Sequence, residues 1–236
     1  MAMSQRAGND LLSTLPELRH ALEKAADPER APGMAAYMKD NFEFLGVTSP
    51  HRRAAAKPVL GAGKGCEGDE LLSFAEACWQ QPEREFHYVG MDLLRKWAAV
   101  LAPEHLGRIE TLIRTNSWWD TIDSLAPWTV GAMVTNHPEL TDAMDDWIED
   151  SNIWIARTAI LHQLSYKERC NQLRLFGYVD IRSGDTEFFI RKALGWALRQ
   201  HARVEPEAVR TFVADRGAAL SGLTRREALK HLDVAN

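Results

Sequence analysis

The chain has 236 residues, 45% hydrophobic and 26% charged, the balance of a globular protein long enough to bury a large core. No run approaches the roughly 18 apolar residues of a membrane span, and MAMSQRAGND lacks a basic stretch followed by an apolar one, so neither membrane nor secretory targeting is expected. A net charge of −5 argues against binding nucleic acid unless basic residues gather on one surface, because DNA affinity follows local phosphate neutralisation.

Cys66, Cys78 and Cys170 form no CxxC and leave one thiol unpaired, which fits reduced cysteines in a cytoplasmic compartment. The histidines are scattered, with no HExxH or His/Cys cluster, so neither a metal nor another cofactor is expected. In chain order, residues 1–10 read as a loose tail and 11–236 as one domain. Pro28, Pro50, Pro82, Pro103, Pro138 and Pro206 each stand before an amphipathic, helix-favouring stretch, where the missing proline N–H has no intrahelical partner to lose. Nothing of comparable length alternates with period two. The chain therefore parses as all-α, about a dozen helices of roughly 10–18 residues.

Following Pro28, Tyr37 sits in an ordinary amphipathic helix. The loop from Phe44 to Arg53 then joins a glycine turn, the hydroxyls of Thr48 and Ser49, and His51, Arg52 and Arg53 at a helix start. Ser49 supplies an N-cap oxygen, and such a helix start can hold a phosphate or be a simple cap with exposed arginines. Next comes NSWWDTID, with Asn116 or Ser117 as the expected cap. Trp118, Ile122, Leu125 and Thr129 form one stripe, the expected core face; Trp119, Asp123, Ala126 and Val130 form a second, rotated by roughly 100°. Trp119 and Asp123 thus meet one turn apart. A carboxylate beside an indole is costly unless satisfied or used, although a core tryptophan beside a capping aspartate also fits. Further on, Trp196 has Lys192 four before and Arg199 three after. Its indole either faces nucleic acid among cations or lies under their alkyl stems.

The helices also recur. Phe86, Trp119, Trp154, Phe188 and Leu223 are spaced by 33, 35, 34 and 35 residues, with Ser124, Ala159, Ala193 and Ala228 five after the last four. One helix pair per unit with a small residue at the crossing marks an α-solenoid, a curved superhelix whose equivalent positions line one surface. Three after the anchor, and after Pro50 one unit earlier, come Arg157, Arg191, Arg226 and Arg53. These arginines form either a basic stripe or a structural ladder with acidic residues of neighbouring repeats.

MAAYMKDNFEFLGVTSPHRR, PEREF, NSWWDTIDS, NIWIARTAILHQL, EFFIRKALGWALR and LTRREALKHL occur in one order from about residue 10 to the end. Together they resemble the AlkD-type DNA alkylation repair proteins, alkylpurine DNA glycosylases built from HEAT-like repeats. The resemblance implies a concave face for double-stranded DNA, catalytic roles for Asp123, Trp119 and Trp196, and backbone contacts from Tyr37, Arg157, Arg199 and the Thr48–Arg53 loop. It further implies that cationic N3- or N7-alkylated purines are released and are captured while stacked. No lysine is called for as a Schiff-base nucleophile, so no strand cleavage is expected, and an open solenoid around duplex DNA can act as a monomer. The family usually has threonine where this chain has Ser49, which keeps the hydroxyl and loses a methyl. An inert helical DNA-binding or adaptor scaffold is the competing expectation.

Overall fold

The computed structural model describes residues 11–232; the expected tail, residues 1–10, lies outside them. Among the described residues every regular element is helical, and the one strand-like pairing is an isolated bridge between Glu43 and Glu83. No described helix is long and apolar enough to cross a membrane. The chain divides into two compact units, whose boundary in sequence falls between Asn116 and Ser117.

The first unit contains α1 (Leu15–Lys24), α2 (Ala31–Tyr37), α3 (Ser49–Ala62), α4 (Gly68–Trp79), α5 (Arg84–Lys96) and α6 (Leu106–Arg114). Leu71, Phe74, Phe86 and Leu93 are wholly buried in its core, each contributing about 1.5–3 kcal/mol of apolar burial. Helices α4 and α5 cross at Gly90, where a Cβ would stand 3.1 Å from the Cβ of Cys78.

The second unit contains α7 (Trp119–Ser124), α8 (Gly131–Asn136), α9 (Thr141–Trp147), α10 (Ile153–Leu161), α11 (Gln172–Ile181), α12 (Phe188–His201), α13 (Pro206–Arg216) and α14 (Gly222–Leu229). The repeat is structural here. Trp119 and Phe188 open α7 and α12, while Trp154 and Leu223 are the second residues of α10 and α14. The small residues Ala159, Ala193 and Ala228 are fully buried, as helix crossings require.

The prolines punctuate as expected. Pro50 and Pro206 lie in the first turns of α3 and α13, and Pro103 and Pro138 open 3-10 turns that lead into α6 and α9. Several helices are nevertheless shorter than expected. Helix α2 stops at seven residues because Lys39 and Asp40 turn to φ values of 60° and 57°. Helices α7 and α8 have six residues each because a π-helical segment, Leu125–Val130, separates them within one helical run. Pro127 lies in that segment and has no N–H for the carbonyl of Asp123, four residues back, where its ring would also crowd an α-helical turn.

Candidate active site and nucleic-acid contacts

Helix α7 begins differently from the sequence expectation. The N-cap position falls on extended Trp118, which makes no side-chain cap bond, and not on Asn116 or Ser117. Asn116 is instead left-handed at φ 51°, its amide donating to the Trp79 carbonyl at 2.9 Å. Within α7, Trp119 and Asp123 are one turn apart in α geometry, as expected. The two stripes do not separate core from surface beyond that point: Leu125, Ala126, Thr129 and Val130 are all fully buried. Across the π segment the 3.6-residue repeat no longer holds, so α-helical stripes lose their meaning.

Asp123 meets Arg157 of α10. The guanidinium donates from Nε to Oδ1 at 2.8 Å and from Nη2 to Oδ2 at 2.9 Å, and its Nη1 donates to the Phe189 carbonyl. The Arg157 side chain is only 3% exposed, whereas that of Asp123 keeps 22%. Asn152 places the arginine by capping α10, accepting from the Trp154 amide at 2.9 Å. Burial pushes the Asp123 carboxyl above the ordinary carboxylate range; the Arg157 charge and its hydrogen bonds oppose that rise, and the Asp120 charge adds to it.

An aromatic wall belongs to the same unit. Trp118, Trp154 and Phe189 have ring centroids 5.5, 5.1 and 4.9 Å apart, and the Arg157 guanidinium lies 6.0 Å from the Phe189 ring. The Trp118 Nε1, Ser124 Oγ and Thr129 Oγ1 are buried without a hydrogen-bond partner. Orphaned polar atoms within twelve residues of one chain segment mark a place where packing alone does not explain the residue choice.

On α12, Lys192, Trp196 and Arg199 follow at i, i+4 and i+7 and share one face. Trp196 is half-buried there. Both flanking cations are held by Glu227 of α14: Lys192 Nζ lies 2.6 Å from Oε1, and Arg199 Nη1 donates to Oε2. The sequence therefore missed an anion between the two cations. Arg191 donates through Nε to the Asp185 carbonyl at 2.7 Å, while Arg53 and Arg226 are exposed. Equivalent repeat positions thus do not give a uniform basic stripe. Arg157, the member that pairs one repeat back, follows the ladder alternative.

In the first unit, Tyr37 ends α2 and is 69% exposed. The loop to α3 is fixed from beneath by wholly buried Glu85, which accepts from the amides of Leu45, Gly46 and Val47 at 3.1, 3.0 and 3.0 Å. Gly46 has φ 83°, and a Cβ there would fall 2.1 Å from the Asp27 carbonyl oxygen. Ser49 is not the cap but the first helical residue; Thr48 holds the cap position, and its Oγ1 lies 3.1 Å from His51 Nδ1. Ser49, His51 and Arg53 are exposed, while Arg52 pairs with Asp92 at 3.4 Å and lies 4.5 Å above the Tyr88 ring. Beside Glu85, fully buried Arg84 donates to the Asn116 carbonyl at 2.7 Å and lies 3.7 Å over the Phe42 ring.

No described group of His, Cys, Asp and Glu residues could hold a metal ion. The three cysteines are free thiols raised by burial, Cys170 to about 11, so they stay protonated at neutral pH.

Such a chain is an all-helical repeat protein with a carboxylate–guanidinium pair set against aromatic rings. The family profile described as DNA alkylation repair enzyme matches residues 18–232, and the chain belongs to that family. It is similar to a structure from Enterococcus faecalis described as a predicted DNA alkylation repair enzyme, at 32% identity and a TM-score of 0.82, covering 89% of this chain and 98% of that one. AlkD2 from Streptococcus mutans shares the fold at 16% identity and a TM-score of 0.62, over 86% of this chain and 100% of that one. Comparison with curated proteins gives no significant match.

Proposed function

We propose that the protein is a monofunctional DNA glycosylase that hydrolyses the N-glycosidic bond of cationic N3- or N7-alkylated purines in duplex DNA. The observation that carries this reading is the buried, still partly accessible Asp123 carboxylate, gripped bidentately by Arg157 one turn after Trp119. A cationic purine is already a good leaving group, so no general acid is needed. The bond breaks with its electron pair going to the base, and positive charge develops on the deoxyribose. Asp123 stabilises that charge and orients a water whose oxygen adds to C1′, taking the released proton and passing it to solvent. The indoles of Trp119 and Trp196 lie against the sugar and its phosphates, offering electron-rich faces and excluding water.

Arg157 has a role of its own in this scheme. Its charge favours the ionised carboxylate that burial disfavours, so it keeps Asp123 in its working form. Tyr37, the Thr48–Arg53 loop, Arg191, Lys192 and Arg199 supply backbone contacts. No lysine is needed as a Schiff-base nucleophile, so the strand stays intact. The protein works as a monomer in the cytoplasm, without a cofactor.

The experiment is incubation with duplex DNA containing 7-methylguanine, followed by chromatography of released bases, with Asp123→Asn and a uracil-containing duplex in parallel. The wild type should release 7-methylguanine and not uracil, and the variant should lose on the order of 10²-fold or more in rate while still binding DNA. Comparable uracil release would sink the mechanism. No release from either protein, with DNA bound, would leave an inert DNA-binding scaffold.

A further inference from the structure

The last helix contributes one side chain that the reading above does not use. Helix α14 reaches α12 at Gly195, where a Cβ would stand 2.5 Å from the Glu227 Cβ and 2.8 Å from the Thr224 carbonyl oxygen. Buried Thr224 fixes the pair of helices by donating from Oγ1 to the Arg191 carbonyl at 3.1 Å. This close approach delivers Glu227, whose side chain is 13% exposed, between Lys192 and Arg199. Each of its carboxylate oxygens serves a different cation, and those cations stand four before and three after Trp196.

A surface serving only to attract phosphates would leave both cations unpaired. Burying an anion between them lowers their joint charge from +2 to +1 and removes the rotamer freedom of two long side chains. The two effects act in opposite directions on DNA. Charge reduction weakens sequence-independent attraction. Fixing the cations in advance favours a single seating of the sugar–phosphate chain against Trp196.

Resting on the glycosylase reading, the geometry points to Glu227 as a positioning residue: it holds Lys192 and Arg199 on either side of Trp196, giving up non-specific DNA affinity for a fixed contact with the backbone of the lesion strand. Glu227 touches no reacting atom. It acts through the two cations. The burial that would raise its carboxyl is outweighed by the Lys192 and Arg199 hydrogen bonds and charges, so it remains anionic.

The test measures fluorescence anisotropy with undamaged duplex across a salt series, together with single-turnover release of 7-methylguanine at saturating enzyme. Glu227→Gln should bind undamaged duplex about 3–10-fold more tightly at low salt, with a salt slope steeper by about one, because one cation's worth of charge is unmasked. It should release base about 10-fold more slowly. A merely structural role would weaken binding and release together, and that pattern overturns the proposal, as does an unchanged salt slope. If Glu227→Gln does not fold, Glu227→Asp keeps the charge with a shorter reach. That variant should retain the wild-type slope with slower release; a steeper slope or wild-type release counts against the proposal. Wild-type binding without any base release would fell the glycosylase reading and leave the salt series to decide Glu227.

Discussion

Glu85 of the first unit and Asp123 of the second are carboxylates satisfied in contrasting ways. Glu85 has no exposed surface and accepts from three consecutive main-chain amides, donors that cannot move without unfolding the loop they belong to. Asp123 keeps part of its surface open and relies on one guanidinium, a side-chain donor from another helix. A carboxylate closed in by backbone amides holds structure. One that is partly open and balanced by a side chain carries a charge that a ligand can reach, and the proposed mechanism uses it. The contrast is between a carboxylate neutralised by fixed main-chain amides and one neutralised by a single side-chain charge.

The largest expected effect lies with the sealed carboxylate. Glu85→Ala leaves three buried amides without acceptors and should lower unfolding free energy by about 3–5 kcal/mol in urea titration, at about 1–3 kcal/mol for each unsatisfied group and with some relaxation. Unchanged stability would break the comparison. Asp123→Asn should cost less, about 1–3 kcal/mol, since its amide oxygen still accepts one Arg157 bond while its NH2 opposes the other donor and the buried guanidinium loses its counter-ion.

Next is the balancing cation. Arg157→Lys loses the bidentate grip and should slow base release about 10-fold or more. Its pH dependence sharpens the point. The proposed mechanism needs ionised Asp123, whose carboxyl is raised by burial, so kcat/KM should fall as pH drops through a value above the ordinary 3.8. Arg157→Gln removes the opposing charge, so that acid limb should move to still higher pH. A limb that stays in place would show that Arg157 does not govern the Asp123 charge.

The smallest effect belongs to the loop that Glu85 supports. Arg53→Ala removes an exposed cation and should make the salt slope of duplex binding shallower by about one without altering the acid limb. A shift in the limb would mean that the two regions do not act separately.

Much of this was legible in the sequence, because helix starts are local. The prolines and the recurring anchors found the openings of α3, α7, α10, α12, α13 and α14, and i, i+4 spacing brought Trp119 and Asp123 together. What stayed hidden depends on contacts between helices. Repeat position showed that Arg157 recurs with other arginines, but not that it points inward to Asp123. Glu85 and Glu227 lay inside the matching PEREF and LTRREALKHL segments without a role, since their donors come from elsewhere in the fold. The aromatic wall of Trp118, Trp154 and Phe189 was equally unreadable. One usable signal was present: Arg157 pairs with Asp123 at a separation of 34 residues and Lys192 with Glu227 at 35, close to one repeat. In a stacked repeat, opposite charges one period apart are candidate partners.

The π-helical segment Leu125–Val130 has a consequence for how such proteins are inherited. A π turn corresponds to an α-helix carrying one surplus residue. Loss of the Pro127 codon there would let the helix run regularly and turn α7 by roughly 100° relative to α8. Asp123 would swing away from Arg157 while tryptophans, aspartate and arginine all survived in the alignment. A descendant could thus lose the Asp123–Arg157 pair without losing either residue.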